Sequence, residues 1–220
     1  MSHQPIDPAS YIDHTLLDST AIPSQVEQVC AEAIRYKFHS VCIAPCFVKQ
    51  AREMLYRERP LVCTVIGFPS GAHTPSVKLY EAQEAIANGA QELDVVINLG
   101  LVRAGDSEAL YRELAPICEH RDVPVKAILE MPLLSPEELA LAVDVCLAAG
   151  VAYLKTCTGW RGSATVEQVK LLSDRTRSKC GIKAAGGIRS LAQCWELISA
   201  GANRLGTSRS VSIMQEFLNY

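Results

Sequence analysis

Asn88-Gly-Ala-Gln-Glu-Leu-Asp94, Ala149-Gly-Val-Ala-Tyr-Leu-Lys155 and Ala200-Gly-Ala-Asn-Arg-Leu-Gly206 are one phrase written three times. In each, a helical stretch stops at a glycine, then a small residue, a polar residue and a short strand follow. Glycine suits the left-handed conformation that closes helices. A helix that passes so quickly into a strand is half of a repeating βα unit, and such units build a parallel sheet.

The same rhythm extends outward from these phrases along the whole chain. Candidate strands are Tyr11–Leu16, Ser40–Ala44, Leu61–Ile66, Glu92–Asn98, Val123–Leu129, Ala152–Thr156, Gly181–Ala185 and Asn203–Gly206. Candidate helices are Pro23–Lys37, Pro45–Arg57, Ser76–Asn88, Ser107–His120, Pro136–Ala149, Thr165–Arg177, Leu191–Ala200 and Arg209–Leu218. Ser135, Pro136 and Glu138 form a helix start: an N-cap, a proline at the first helical position and a glutamate at the third. Eight units in about 200 residues fit an α/β fold of the (β/α)8 TIM-barrel type. The alternative, an open doubly wound sheet, brings a Gly-rich turn after its first strand, and Asp13-His14-Thr15-Leu16-Leu17 offers none. Residues 1–220 are read as a single domain.

Composition narrows the functions. The 220 residues are 49% hydrophobic and 20% charged, with a net charge of -3 and a pI near 6.0. There is no basic excess to attract nucleic acid and no block of like charge. Met1-Ser-His-Gln-Pro-Ile-Asp7 is polar and lacks the apolar core of a secretory signal. No apolar run approaches the roughly 18 to 20 residues that cross a bilayer. A cytoplasmic setting is expected. The nine cysteines are odd in number and lie mostly in apolar context, as reduced core residues do. Cys42 and Cys46 are spaced CxxxC without a second pair at zinc spacing, so no metal is expected. A homodimer is the default assembly.

The chemistry of a barrel gathers at the C-terminal ends of its strands. The polar residues read there are Asp13 and Thr15, Asp94 and Asn98, Lys126 and Glu130, Lys155, Thr156 and Thr158, Lys183, and Thr207 and Ser208. Lys155 and Lys183 stand out. Each lies on a short apolar strand that runs into a small-residue loop, and alternation puts Val151, Tyr153 and Lys155 on one face. A single such lysine is more simply one that snorkels to solvent. Two on adjacent strands argue otherwise: they repel, which lowers the pKa of at least one and makes a nucleophile for carbonyl carbon. Asp94 is either half of an ion pair with Lys126 or Lys183, or a proton relay reaching substrate through a water. Gly186-Gly187-Ile188-Arg189 and Gly206-Thr207-Ser208-Arg209 each open a helix after strands seven and eight. Free N–H groups and arginines in such loops hold phosphate; simple turn chemistry is the plainer reading.

These residues together resemble the deoxyribose-phosphate aldolase family. The likeness runs through Ile12-Asp-His-Thr-Leu-Leu17, Ser40-Val-Cys-Ile43, Cys63-Thr-Val-Ile-Gly-Phe-Pro69 and Glu92-Leu-Asp-Val-Val-Ile-Asn98. It continues through Lys155-Thr-Cys-Thr-Gly-Trp160, Lys183-Ala-Ala-Gly-Gly-Ile-Arg189 and Arg204-Leu-Gly-Thr-Ser208. The resemblance implies reversible cleavage of 2-deoxy-D-ribose 5-phosphate to D-glyceraldehyde 3-phosphate and acetaldehyde. It makes Lys155 the Schiff-base lysine, Lys183 its perturbing neighbour and Asp94 the acid/base partner. Thr15, Thr156, Gly159, Gly186, Gly187, Arg189, Gly206, Ser208 and Arg209 are then the expected substrate and phosphate contacts, and no cofactor is needed. Cys157, Met131, Trp160, Ser70, Ala44 and the pair Arg209-Ser210 depart from the common wording and bear on specificity. The competing readings are an aldolase of the same fold acting on another phosphorylated sugar, and a weakly catalytic sugar-phosphate-binding barrel. Tyr220 is read as merely ending the last helix.

Overall fold

A computed structural model describes residues 6–120 and 122–220. Residues 1–5, part of the polar N-terminal stretch, lie outside them. Eight strands, all paired in parallel, close a barrel in sequence order. They are β1 Ile12–Leu16, β2 Ser40–Ile43, β3 Leu61–Ile66, β4 Glu92–Val96, β5 Val125–Ile128, β6 Tyr153–Lys155, β7 Gly181–Ala185 and β8 Arg204–Thr207. The helices are α1 Pro23–Tyr36, α2 Val48–Met54, α3 Pro75–Ala87, α4 Leu99–Arg103, α5 Ser107–Cys118, α6 Pro136–Ala149, α7 Val166–Thr176, α8 Leu191–Ser199 and α9 Ser210–Leu218. The fold is therefore the (β/α)8 barrel expected from the three repeated phrases. Gly89, Gly150 and Gly201 take positive φ of 102°, 85° and 114° where those phrases turn. The start of α6 carries the expected reciprocal cap, with the Ser135 hydroxyl accepting from the Glu138 N–H.

Some boundaries moved for identifiable reasons. Pro8–Tyr11 winds one 3-10 turn, capped by the Asp7 carboxylate, so β1 begins at Ile12. Pro45–Phe47 is likewise a 3-10 turn, and α2 starts only at Val48. The strand read to Asn98 stops at Val96, and the short helix α4 was not anticipated. Asn98 starts that helix, its side chain accepting from the N–H groups of Gly100 and Leu101 at 2.9 and 3.3 Å. Arg209 caps α9 rather than beginning it.

Burial falls in two layers. Outside the strands, Val41, Leu93, Val95, Ala127, Leu154 and Ile182 pack against Val26, Ala33, Leu110, Leu114, Val143 and Leu172 of the helices. This apolar shell follows from strands covered on their outer face by helices. Inside the barrel the filling is different. Cys42, Cys63 and Val65 form a small separate apolar cluster, and buried charged side chains lie beside it. All nine cysteines are free thiols, and Cys46 is the exposed one. Among the described residues no helix is long and apolar enough to cross a membrane.

Candidate active site

Among the described residues, the barrel interior holds four basic side chains against three acidic ones, all buried: Lys126, Lys155, Lys183 and Arg204 with Asp13, Glu92 and Asp94. Parallel register places them side by side. Asp94 neighbours Lys126 across β4 and β5, Lys155 neighbours Lys183 across β6 and β7, and Lys183 neighbours Arg204 across β7 and β8. Asp94 lies at the centre. Its Oδ2 accepts from Lys155 Nζ at 2.8 Å and Lys183 Nζ at 2.7 Å. Its Oδ1 accepts from Lys126 Nζ at 3.0 Å and from the Cys63 thiol at 3.2 Å. Asp13 pairs with Lys183 and with Arg204 at 2.8 Å. Glu92 takes Arg204 on both oxygens, at 3.0 and 3.1 Å, and Lys126 at 2.8 Å.

Burial alone would neutralise such groups. Here the partners outweigh it. Desolvation pushes the Asp94 carboxyl up, but Lys126, Lys155 and Lys183 hold it well below the usual aspartate range. Asp13 and Glu92 are likewise lowered against burial by the lysines and Arg204. Burial pulls the Lys183 amine down, yet Asp13 and Asp94 hold it above the usual lysine range. The sequence argument from lysine–lysine repulsion therefore does not apply to Lys183, which is a fixed cation.

Lys155 is the lysine of this set that meets open space. It lines a cavity of about 570 Å³ at the C-terminal mouth of the barrel, together with Thr15, Thr158, Gly159, Trp160 and the two Gly-containing loops. Lys126 and Lys183 have no accessible surface. Asp94 is not on the cavity wall; it sits behind Lys155 and contacts it directly. Gly186, Gly187, Arg189, Gly206, Ser208 and Arg209 all line the cavity. Gly206 has a second reason to be glycine, since a Cβ there would stand 3.1 Å from Lys183 Cε and 3.1 Å from Ala185 Cβ.

The expected helix-end anion site is only partly free. Arg189 and Ser190 N–H donate to the Gln193 side chain, and Leu191 N–H donates to Glu216. Among the described residues, the N–H groups of Gly187, Ile188 and Ser208 remain without a protein acceptor. Thr156 does not reach the cavity. Its hydroxyl donates to the Ala185 carbonyl at 3.2 Å and accepts from the Ala185 N–H at 3.1 Å, clipping β6 to β7. Met131 is buried in the outer apolar shell and does not shape the mouth. Trp160 does, standing edge-on to Phe68 with ring centroids 5.8 Å apart. Leu17, Asp18 and Ser19 also line the cavity and were not foreseen. Glu92 and Arg204 were missed as well, although each lies two residues from an inward position, Asp94 and Gly206, on its own strand. Cys42, Cys63 and Asp94, and Asp13, Cys63 and Glu92, have ligand-type atoms close together. The ammonium groups of Lys126, Lys155 and Lys183 already occupy those carboxylates, which disfavours a metal cation there.

A closed parallel barrel with a lysine facing the cavity at the end of β6 is the architecture of a TIM-barrel enzyme. Residues 9–200 match the profile of the DeoC/LacD family of aldolases, and the chain belongs to that family. It is 60% identical to the deoxyribose-phosphate aldolase of a Cyanothece species, over 96% of this chain and 92% of that protein. It is 59% identical to that of Thermosynechococcus vestitus, over 97% and 98%. Among solved structures, the deoxyribose phosphate aldolase of Aeropyrum pernix, described as tetrameric, superposes with a TM-score of 0.89 at 36% identity, covering 96% of this chain and 90% of that one. An aldolase designated QR15 superposes at 0.93 with 37% identity, covering 98% and 97%.

Proposed function

We propose that the chain cleaves 2-deoxy-D-ribose 5-phosphate reversibly into D-glyceraldehyde 3-phosphate and acetaldehyde, with Lys155 forming the Schiff base. One observation carries the assignment to Lys155: it joins the charge lattice to the cavity, while the other interior lysines are sealed behind it. Attack on the substrate C1 carbonyl requires the neutral amine. A neutral Lys155 leaves three cations facing three carboxylates, so the lattice is balanced in the attacking state. Asp94 Oδ2 touches both Lys155 and Lys183 and relays the protons that Lys155 sheds to the substrate carbonyl oxygen, which departs as water. Loss of water then gives an iminium whose positive charge stays beside Asp94. The carboxylate, kept ionised by its neighbours, stabilises that cation without reorganising.

The iminium draws the electron pair of the C2–C3 bond as the C3 hydroxyl loses its proton. Glyceraldehyde 3-phosphate departs, and the enamine takes a proton at C2. Hydrolysis releases acetaldehyde and frees Lys155. Arg189, Arg209 and the free N–H groups of Gly187, Ile188 and Ser208 hold the phosphate, which fixes C1 against the amine. Thr15 and Gly159 border the reacting end.

A second reading, an aldolase for another phosphorylated sugar, rests on Arg209 and Trp160 at the cavity wall. A panel of phosphorylated aldoses and ketoses separates the two. The setting we infer is the cytoplasm, in keeping with nine free thiols. The assembly we infer is a homodimer, which size-exclusion chromatography with light scattering distinguishes from a tetramer. The test of the chemistry is borohydride trapping with acetaldehyde or 2-deoxyribose 5-phosphate, followed by mass spectrometry. An adduct on the peptide carrying Lys155 is expected; adducts scattered over surface lysines, or none, would overturn the mechanism.

A further inference from the structure

Thr207, the last residue of β8, ties together both loops at the phosphate end of the cavity. Its hydroxyl donates to the Ile188 carbonyl at 2.7 Å and accepts from the Arg209 N–H at 2.9 Å. Its carbonyl lies 3.1 Å from Ser210 Oγ, at the start of α9. Ser210 Oγ stands 2.9 Å from His14 Nδ1, and His14 Nε2 stands 2.7 Å from a Glu32 carboxylate oxygen on α1. The other Glu32 oxygen accepts from Gln28 at 2.8 Å. His14 follows the inward Asp13 and so points out of the barrel, where its ring packs on Phe38 at 5.1 Å.

Glu32, His14 and Ser210 are the residue types of a hydrolytic triad, but that role is closed to them. Ser210 has no accessible surface, His14 is 4% exposed, and neither borders the cavity. The aldol chemistry at Lys155 uses none of the three. Through Ser210 they reach the Thr207 carbonyl, on the backbone that carries Arg209.

We propose that Glu32, His14 and Ser210 form a positioning chain that sets the Thr207–Arg209 loop, and with it the affinity of the site for the phosphate end of the substrate. The proposal rests on the phosphate reading given above. A carboxylate that holds one ring nitrogen fixes the plane and tautomer of the imidazole, and the other nitrogen then fixes its own partner. The hydroxyl it fixes sits where the helix begins, three residues from the Thr207 carbonyl that it also contacts. Small displacements of substrate-positioning groups are costly, and Thr207 passes any displacement to the β7–α8 loop through Ile188.

The test compares 2-deoxyribose 5-phosphate with unphosphorylated 2-deoxyribose as substrates. Loss of one hydrogen bond in Ser210→Ala is expected to raise KM for the phosphorylated sugar about 5- to 10-fold. Its kcat should hold, and kcat/KM for 2-deoxyribose should not change. His14→Leu should do the same, and His14→Asn, whose amide stands where Nδ1 stood, should recover most of the loss. An equal fall on both substrates, or no change on either, overturns the positioning chain. The double variant Arg189→Ala/Arg209→Ala separates the two readings. If it leaves the preference for the phosphorylated sugar intact, the phosphate site itself is wrong. If it erases that preference while Ser210→Ala does nothing, only the positioning chain is wrong.

Discussion

Lys78 and Glu113 pair at 2.8 Å between α3 and α5, outside the barrel wall, while Lys126, Lys155, Lys183 and Arg204 share three carboxylates inside it. Both sets are buried, yet they respond to burial in opposite ways. Burial holds the Lys78 amine below its usual range, with Glu113 only partly offsetting it, and pushes the Glu113 carboxyl up, with Lys78 only partly offsetting that. Inside the barrel, Lys126 and Lys183 are held up and Asp94 is held down. The difference is the number of partners. Glu113 has a single cationic partner, and its Oε2 has no hydrogen bond. Asp94 has three lysine amine partners and two thiols. One opposite charge does not repay desolvation, whereas several do. Asp94 and Lys183 therefore keep their charges at pH 7, which is the condition for stabilising an iminium beside them.

The largest effect tests which lysine is the outlet of that lattice. Lys155→Leu should lower kcat/KM by about 10⁴-fold or more, abolish the borohydride adduct and leave the melting temperature nearly unchanged. The fold tolerates it because the excess cation is the one removed. Activity within about a hundredfold of wild type, or an adduct moved to Lys183, would show that the outlet was misplaced.

Asp94→Asn should hurt both activity and the fold. Removing one partner of a buried charge cluster costs about 3–5 kcal/mol, read in urea melts, and activity should fall about 10²-fold or more. Glu113→Gln should cost less, about 1–3 kcal/mol, because Lys78 is already held low and can shed its proton. Equal costs would erase the contrast between the two sets.

Acid separates them next. Asp13, Glu92 and Asp94 are lowered from usual values of 3.8, 4.5 and 3.8. Their contribution is therefore present above those values and is lost as pH falls below 4.5 through the lowered pKa values. Glu113 has a raised pKa, so its protonation on acidification favours the fold instead. Melting temperatures between pH 3 and 7 should fall steeply below pH 4.5, and the fall should flatten in Asp94→Asn. A fall that is unchanged in that variant would assign acid lability to other groups.

The fold was legible because glycine punctuation and short apolar runs are local signals. The helix at Leu99–Arg103 was not, since it depends on the Asn98 side chain turning back onto its own backbone. The charge lattice was half legible. Alternation was applied to β6, where it turned Lys155 inward. The same parity turns Glu92 and Asp94, Asp13 and Thr15, and Arg204 and Gly206 inward, and it turns Thr156 away from them. That rule alone would have found Glu92 and Arg204 and removed Thr156. Counting carboxylates was the step needed to see that Lys183 is held up. Met131 follows Glu130, which takes a φ of 50° without being glycine, and no sequence signal marks such a turn.

The smallest effect sharpens the comparison most. In Lys78→Met/Glu113→Leu the isolated pair is replaced by apolar residues of similar size. Such replacements are often neutral or stabilising by about 1–4 kcal/mol. Two backbone groups oppose the gain: the Val96 carbonyl loses the Lys78 amine at 2.8 Å, and the Asn98 N–H loses Glu113 at 3.1 Å. Each loss costs about 1 kcal/mol, so the stability should stay within about 2 kcal/mol of wild type. Val96 and Asn98 follow Asp94 on the same strand end, so steady-state kinetics report whether the outer pair matters to the inner lattice. A kcat/KM within about threefold of wild type is expected. A fall beyond about tenfold, with the melting temperature preserved, would mean that the outer pair holds β4 in place for Asp94 and that the two sets of charges act as one.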